Sequence, residues 1–86
     1  MKVPIYLIAQ RLGLHPKELA KIVYDGDVTG EVPGGSAQSK DAWVDILSLR
    51  NYIEWLNDQG RIEALRYQKS IRHIDTEIAR LKRRRG

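Results

Sequence analysis

An 86-residue chain with a net charge of +4 and no cysteine is long enough for one domain and one further element, and it excludes disulfides and thiolate metal centres. The two histidines, His15 and His73, lack metal-ligand spacing, and no stretch approaches the roughly 18 apolar residues of a membrane span, so no metal, cofactor or membrane partner is expected. The short apolar run Val3–Ile8 contains Pro4 and Tyr6 and no small-residue cleavage site, which is unlike a signal peptide and leaves a cytoplasmic location as the expectation.

Charge is divided unevenly. Residues 1–60 carry six basic and eight acidic side chains, a net −2; residues 61–86 carry nine basic and three acidic, a net +6. A basic arm on a nearly neutral body suits a polyanionic partner.

The first helix is predicted from Pro4, with Leu7 or Ile8 followed by Leu12 on its inner face and Gly13 as its stop. Pro16 opens a second helix that runs to about Tyr24. Leu19, Ile22 and Val23 are spaced to face inward, and Lys17, Glu18 and Lys21 to face out. Asp25-Gly26-Asp27 ends it. Ala9 allows close approach, Gly13 makes the turn and Leu14 fills the gap, which is the pattern of a helix-turn-helix. An ordinary helical hairpin has the same spacing.

Residues 26–41 are rich in Gly, Pro, Ser and Asp. Val28–Val32 is predicted as a short strand, Pro33-Gly34-Gly35 as a turn, and Ala42–Ile46 as the returning strand. A hairpin in this place is a wing; a surface loop without a partner is the alternative. A third helix follows from Leu47 to Asn57, capped by Ser48 or Asp45, with Leu49, Tyr52, Ile53 and Leu56 inward and Trp55 at the edge. Asp58-Gln59-Gly60 breaks it.

The last helix is predicted over about Arg61 to Arg83. Ala64, Tyr67, Ile71, Ile74, Ile78 and Leu81 recur at alternating steps of three and four, a heptad seam. Left alone, that seam exposes Ile71, Ile74, Ile78 and Leu81, and a second copy would cover it. The seam therefore predicts a homo-oligomer through Tyr67, Ile71, Ile74, Ile78 and Leu81, unless the helix folds back on its own domain. Ile62 and Leu65 lie off the seam and are expected to dock on the body. The terminal Lys82, Arg83, Arg84 and Arg85 suit either phosphate or the negative end of the helix dipole.

The resulting fold class is mainly α with a small β-hairpin wing. A winged helix-turn-helix over 1–59 is followed by a basic C-terminal helix over 60–86. Such a fold binds double-stranded DNA through its second helix. Arg11, His15, Lys17, Glu18 and Lys21 then become candidate contacts to bases and phosphates, with Lys2 as a further phosphate candidate, and Ser36, Gln38, Ser39 and Lys40 are those of the wing. Asp25, Asp27, Asp41 and Asp45 have no histidine or cysteine partner. They read as turn and cap residues, and the Gly-rich stretch lacks the ending of a P-loop. No catalytic residue is therefore expected, and the chain reads as a non-enzyme.

The order helix, turn, helix, wing, helix resembles small winged-helix regulators of phages and prophages, including excisionases, Cox-type repressors and MerR-like N-terminal domains. Ser36-Ala-Gln-Ser-Lys40, Trp43-Val44-Asp45 and Leu49-Arg-Asn-Tyr-Ile53 also resemble the pyocin activator family of transcription factors over residues 5–68. The Ser-Gln-Lys element is reordered here, and the wing carries Thr29-Gly30-Glu31. The resemblance implies promoter or attachment-site DNA binding, with Gln38, Ser39 and Lys40 on the DNA backbone. The net −2 of the first 60 residues leaves two other functions open: a module that binds a protein through its helical surface, and an RNA-binding basic helix.

Overall fold

The computed structural model describes residues 1–85, apart from the side chain of Arg85. The elements run β1 (Lys2–Pro4), α1 (Ile5–Leu12), α2 (Pro16–Tyr24), β2 (Gly30–Glu31), β3 (Trp43–Asp45), α3 (Ile46–Asp58) and α4 (Ala64–Arg85), with a 3-10 turn at Pro33–Gly35. The chain is mainly helical with one small antiparallel sheet. Among the described residues no helix is long and apolar enough to cross a membrane.

Helix α1 buries Ile5, Ile8, Ala9 and Leu12, one stripe at helical spacing. It ends where Gly13 turns left-handed, at φ 70°. There the N–H of Leu14 donates to the Ala9 carbonyl and that of Gly13 to the Gln10 carbonyl. This double bond pattern satisfies carbonyls that a helix end otherwise leaves open. The same pattern closes α2 at Gly26 and α3 at Gly60. Helix α3 begins where the Asp45 carboxylate accepts from the Ser48 N–H at 3.0 Å, so Asp45 is the cap and not Ser48. The Ser48 hydroxyl instead accepts from the Thr29 N–H, joining α3 to the connection before β2. The Asp45 carboxyl also meets the N-terminal ammonium of Met1 at 2.6 Å. That bond first, and the Ser48 N–H after it, hold it below the usual carboxylate range against the opposing effect of its burial.

Strand β3 is central, with β1 and β2 on either side. Val44 pairs with Val3 across one edge and Gly30 across the other. The expected hairpin is therefore present but shorter at both strands, and β1 is a third strand where a helix start at Pro4 was expected. Proline suits an edge strand, where one missing donor costs no ladder bond. Gly30 is required by proximity: a Cβ there would stand 2.4 Å from the Trp43 carbonyl oxygen. Gly30→Ala is expected to force β2 from β3 and cost about 2–3 kcal/mol, at the upper end of overpacking effects. Urea unfolding measures this loss, and an unchanged midpoint would refute the close approach.

The C-terminal helix lies on its own domain. Ile74 is fully buried and belongs to the same apolar core as Ile8, Leu12, Leu49 and Ile53, while Tyr67, Ile71, Ile78 and Leu81 pack against that core half-buried. The helix thus folds back on α3 and α1, which cover Ile74 fully and the other seam residues in part. The body expected at 1–59 and the helix expected at 60–86 share one core. The radius of gyration, 12.4 Å, is near the roughly 12 Å of a globule of this length. The helix starts three residues later than expected, at Ala64. Of the two residues expected to dock, Ile62 packs on the core and Leu65 is exposed.

On the α3 side, charges cross-link the helices. Arg50 donates to Asp75 at 2.8 Å and to Glu54 at 2.8 Å, and the Tyr67 hydroxyl donates to Glu54 at 3.3 Å.

Candidate nucleic-acid interface

Helix α2 presents one exposed edge to solvent and another to the loop after β2. Lys17, Ala20, Lys21 and Tyr24 follow one another at steps of three, one and three, so they share a face. Together with Gly34, Gly35, Ser36 and Gln38 they line an open groove between α2 and the 33–38 loop. Four of the expected contacts therefore meet in one place: Lys17 and Lys21 from the helix, Ser36 and Gln38 from the loop. Ala37 is buried and anchors the loop against the body. Turn bonds hold the segment that follows, from the Ser39 N–H to the Ser36 carbonyl and from the Ala42 N–H to the Ser39 carbonyl.

The other expected contacts are placed differently. His15 caps α2, its Nδ1 accepting from the Lys17 N–H at 3.1 Å. That acceptor role leaves Nε2 as the ring nitrogen able to donate to a ligand. Glu18 is exposed in the first turn of α2, where a carboxylate complements the helix dipole without any ligand. Ser39 is half-buried and its hydroxyl oxygen accepts from the Asp41 N–H at 3.1 Å, closing the turn. Lys40 is exposed in that turn but does not line the groove. Arg11 is not part of the groove. It lies against α4, its Nε 3.9 Å from a carboxylate oxygen of Glu77.

Electrostatically the groove is modest. Lys21 donates to Asp25 at 3.0 Å, which partly neutralises it. Among the described residues no ion pair engages Lys17. Lys2, on the edge strand β1, sets its ammonium 4.4 Å from the centre of the Trp43 ring, a cation–π contact. Lys82, Arg83 and Arg84 are exposed near the end of α4; the Arg85 side chain lies outside the described residues.

Tyr24 was not expected in the site. It is 64% exposed and walls the groove at the end of α2. The spacing of Lys17, Ala20, Lys21 and Tyr24 was the signal that placed it. Glu77 was also not expected: it is 1% exposed, bound by Arg80 within the same helix.

No family model, curated protein or solved structure matches the chain.

Proposed function

We propose that the chain is a sequence-specific DNA-binding regulator of the phage or prophage type, a winged helix-turn-helix that sets α2 into the major groove of a duplex. The observation that carries this reading is the shared groove, where the exposed face of α2 and the Ser36–Gln38 loop converge. Lysine and glutamine are suited to that task. Lysine donates to phosphate or to guanine O6 and N7, and glutamine pairs with adenine in two directions. Ala20 keeps the centre of the face low, so that the longer side chains beside it can reach base edges.

The head carries few free cations, so register and selectivity are its part of the work. Binding of unrelated duplexes must draw on charge elsewhere in the chain. Cooperative binding of several copies to repeated sites fits a head of this kind.

The test begins with selection of bound fragments from random duplexes. Lys17→Ala with Gln38→Ala is expected to lower affinity for the selected site at least tenfold, since one good base contact discriminates by about 1–3 kcal/mol. The thermal midpoint is expected to stay unchanged, as both side chains are exposed. Absence of DNA binding by the unchanged protein, or equal binding by the double variant, would overturn the reading.

A second reading, a module that binds a protein through its helical surface, is favoured by one observation. Leu47 and Trp55, two turns apart on α3, are each more than two-fifths exposed, and Tyr52 stacks on Trp55 at 6.0 Å. Trp55→Ala leaves DNA binding intact under the first reading and abolishes partner binding under the second.

A further inference from the structure

Helix α4 has two flanks beside its buried stripe, and their charges are treated differently. On the flank toward α3 the charges are compensated: Asp75 and Glu54 both engage Arg50. On the flank toward α1, Glu77 engages Arg80 and Arg11, and the cations nearer the start of the helix are left over. Arg66, Lys69 and His73 are spaced by three and four, so they stand on one face, and all three are exposed. Among the described residues no ion pair engages any of them.

This flank meets the helix-turn-helix at its turn. Arg66, Lys69 and His73 border one hollow with Arg11 and Gly13. Gly13 is two residues from His15, where α2 is capped. The α4 flank and the wing groove therefore reach the start of α2 by different routes, one past the turn and one past the loop. Two carboxylates oppose the cations here. Glu63 is exposed at one end of the hollow, and Glu77 is buried, bound by Arg80 and 3.9 Å from the Arg11 Nε. From Arg66 to His73 this face spans about 10 Å at 1.5 Å per residue. Phosphates on one DNA strand recur every 3.4 Å along the duplex axis, so a face of this length is able to meet several.

We infer that this flank, with Arg66 and Lys69 at its centre and Arg11 beside them, is a second phosphate-binding surface that holds the duplex backbone next to the one read by α2. The inference rests on the DNA-binding reading and moves the main backbone contact. It falls on the part of α4 packed beside the turn, and not on the terminal Lys82–Arg85 run. It also supplies the charge that the groove lacks. A phosphate-binding surface is indifferent to base sequence, because backbone contacts position a protein and base contacts specify.

The full-length chain carrying Arg66→Gln and Lys69→Gln tests it, with binding measured across salt on both a selected site and an unrelated duplex. Loss of two phosphate contacts is expected to reduce the slope of log K against log salt by about 1.8, at 0.9 per phosphate. Affinity is expected to fall by the same factor on both duplexes. Arg66→Lys with Lys69→Arg keeps the charges and is expected to keep the slope. An unchanged slope in the glutamine variant, with the unchanged protein binding DNA normally, overturns this inference alone and points to an acidic protein as the occupant. Failure of the unchanged protein to bind any duplex overturns the DNA-binding reading with it.

Discussion

Ile74→Asp is expected to leave the chain without a cooperative unfolding transition. Ile74 is fully buried in the core shared by α1, α3 and α4, and an unpaired carboxylate there loses its hydration with nothing in return. A domain of this size has only about 5–15 kcal/mol of stability to lose. The milder Ile74→Ala is expected to cost about 3 kcal/mol, within the range for large-to-small core changes. At roughly 4–8 °C per kcal/mol for domains of 60–100 residues, that lowers the melting temperature by about 12–24 °C. The pair of variants also separates two roles for α4. A helix that only joined two copies would give, on Ile74→Asp, a folded monomer with a sharp transition. That outcome would remove Ile74 from the core; a flat melting curve, together with a destabilised but folded Ile74→Ala, places it there.

The difference between those two roles is where sequence reading stops. Steps of three and four mark one face of a helix, and they do so whether the covering surface comes from another copy or from the same chain. The heptad of Tyr67, Ile71, Ile74, Ile78 and Leu81 was legible; its partner was not. The true buried stripe also runs through Ser70 and Glu77, polar residues that a search for apolar repeats passes over. The helix ends were legible because Gly13, Gly26 and Gly60 each supply the left-handed residue that the same closing pattern needs. Strand β1 was not. Three residues are too few to show alternation, and Pro4 is equally at home before a helix. The site divides in the same way. Lys17, Lys21, Ser36 and Gln38 converge because a hairpin following the second helix returns its loop alongside it. Arg11 could be placed only once α4 was known to lie on α1, and His15 became a cap through a ring nitrogen that local sequence does not distinguish from a free one.

The fold-back that removes one stripe of α4 from the solvent also buries a charged group. Glu77 sits on the buried stripe beside Ile74, with 1% of its surface exposed. Arg80 donates to one carboxylate oxygen. The other oxygen has no hydrogen-bond partner, and the Arg11 Nε lies 3.9 Å from it. The two ends of the pair are unequal. Arg80 is 41% exposed at its side chain and is able to turn into water, whereas Glu77 is not. Removing the arginine therefore strands a buried charge, and Arg80→Leu is expected to cost about 3 kcal/mol. Glu77→Leu is expected to cost less, because the freed guanidinium regains water. Combining the two changes is expected to return stability to within about 1 kcal/mol of the original chain, as well-packed apolar pairs often replace buried ion pairs without loss. Denaturant unfolding of the three variants yields the full cycle. Additive losses would mean that Glu77 and Arg80 act independently. A coupling of about 2 kcal/mol or more, with Arg80→Leu the least stable of the three, is the signature of a carboxylate that α4 holds out of solvent only because Arg80 reaches it.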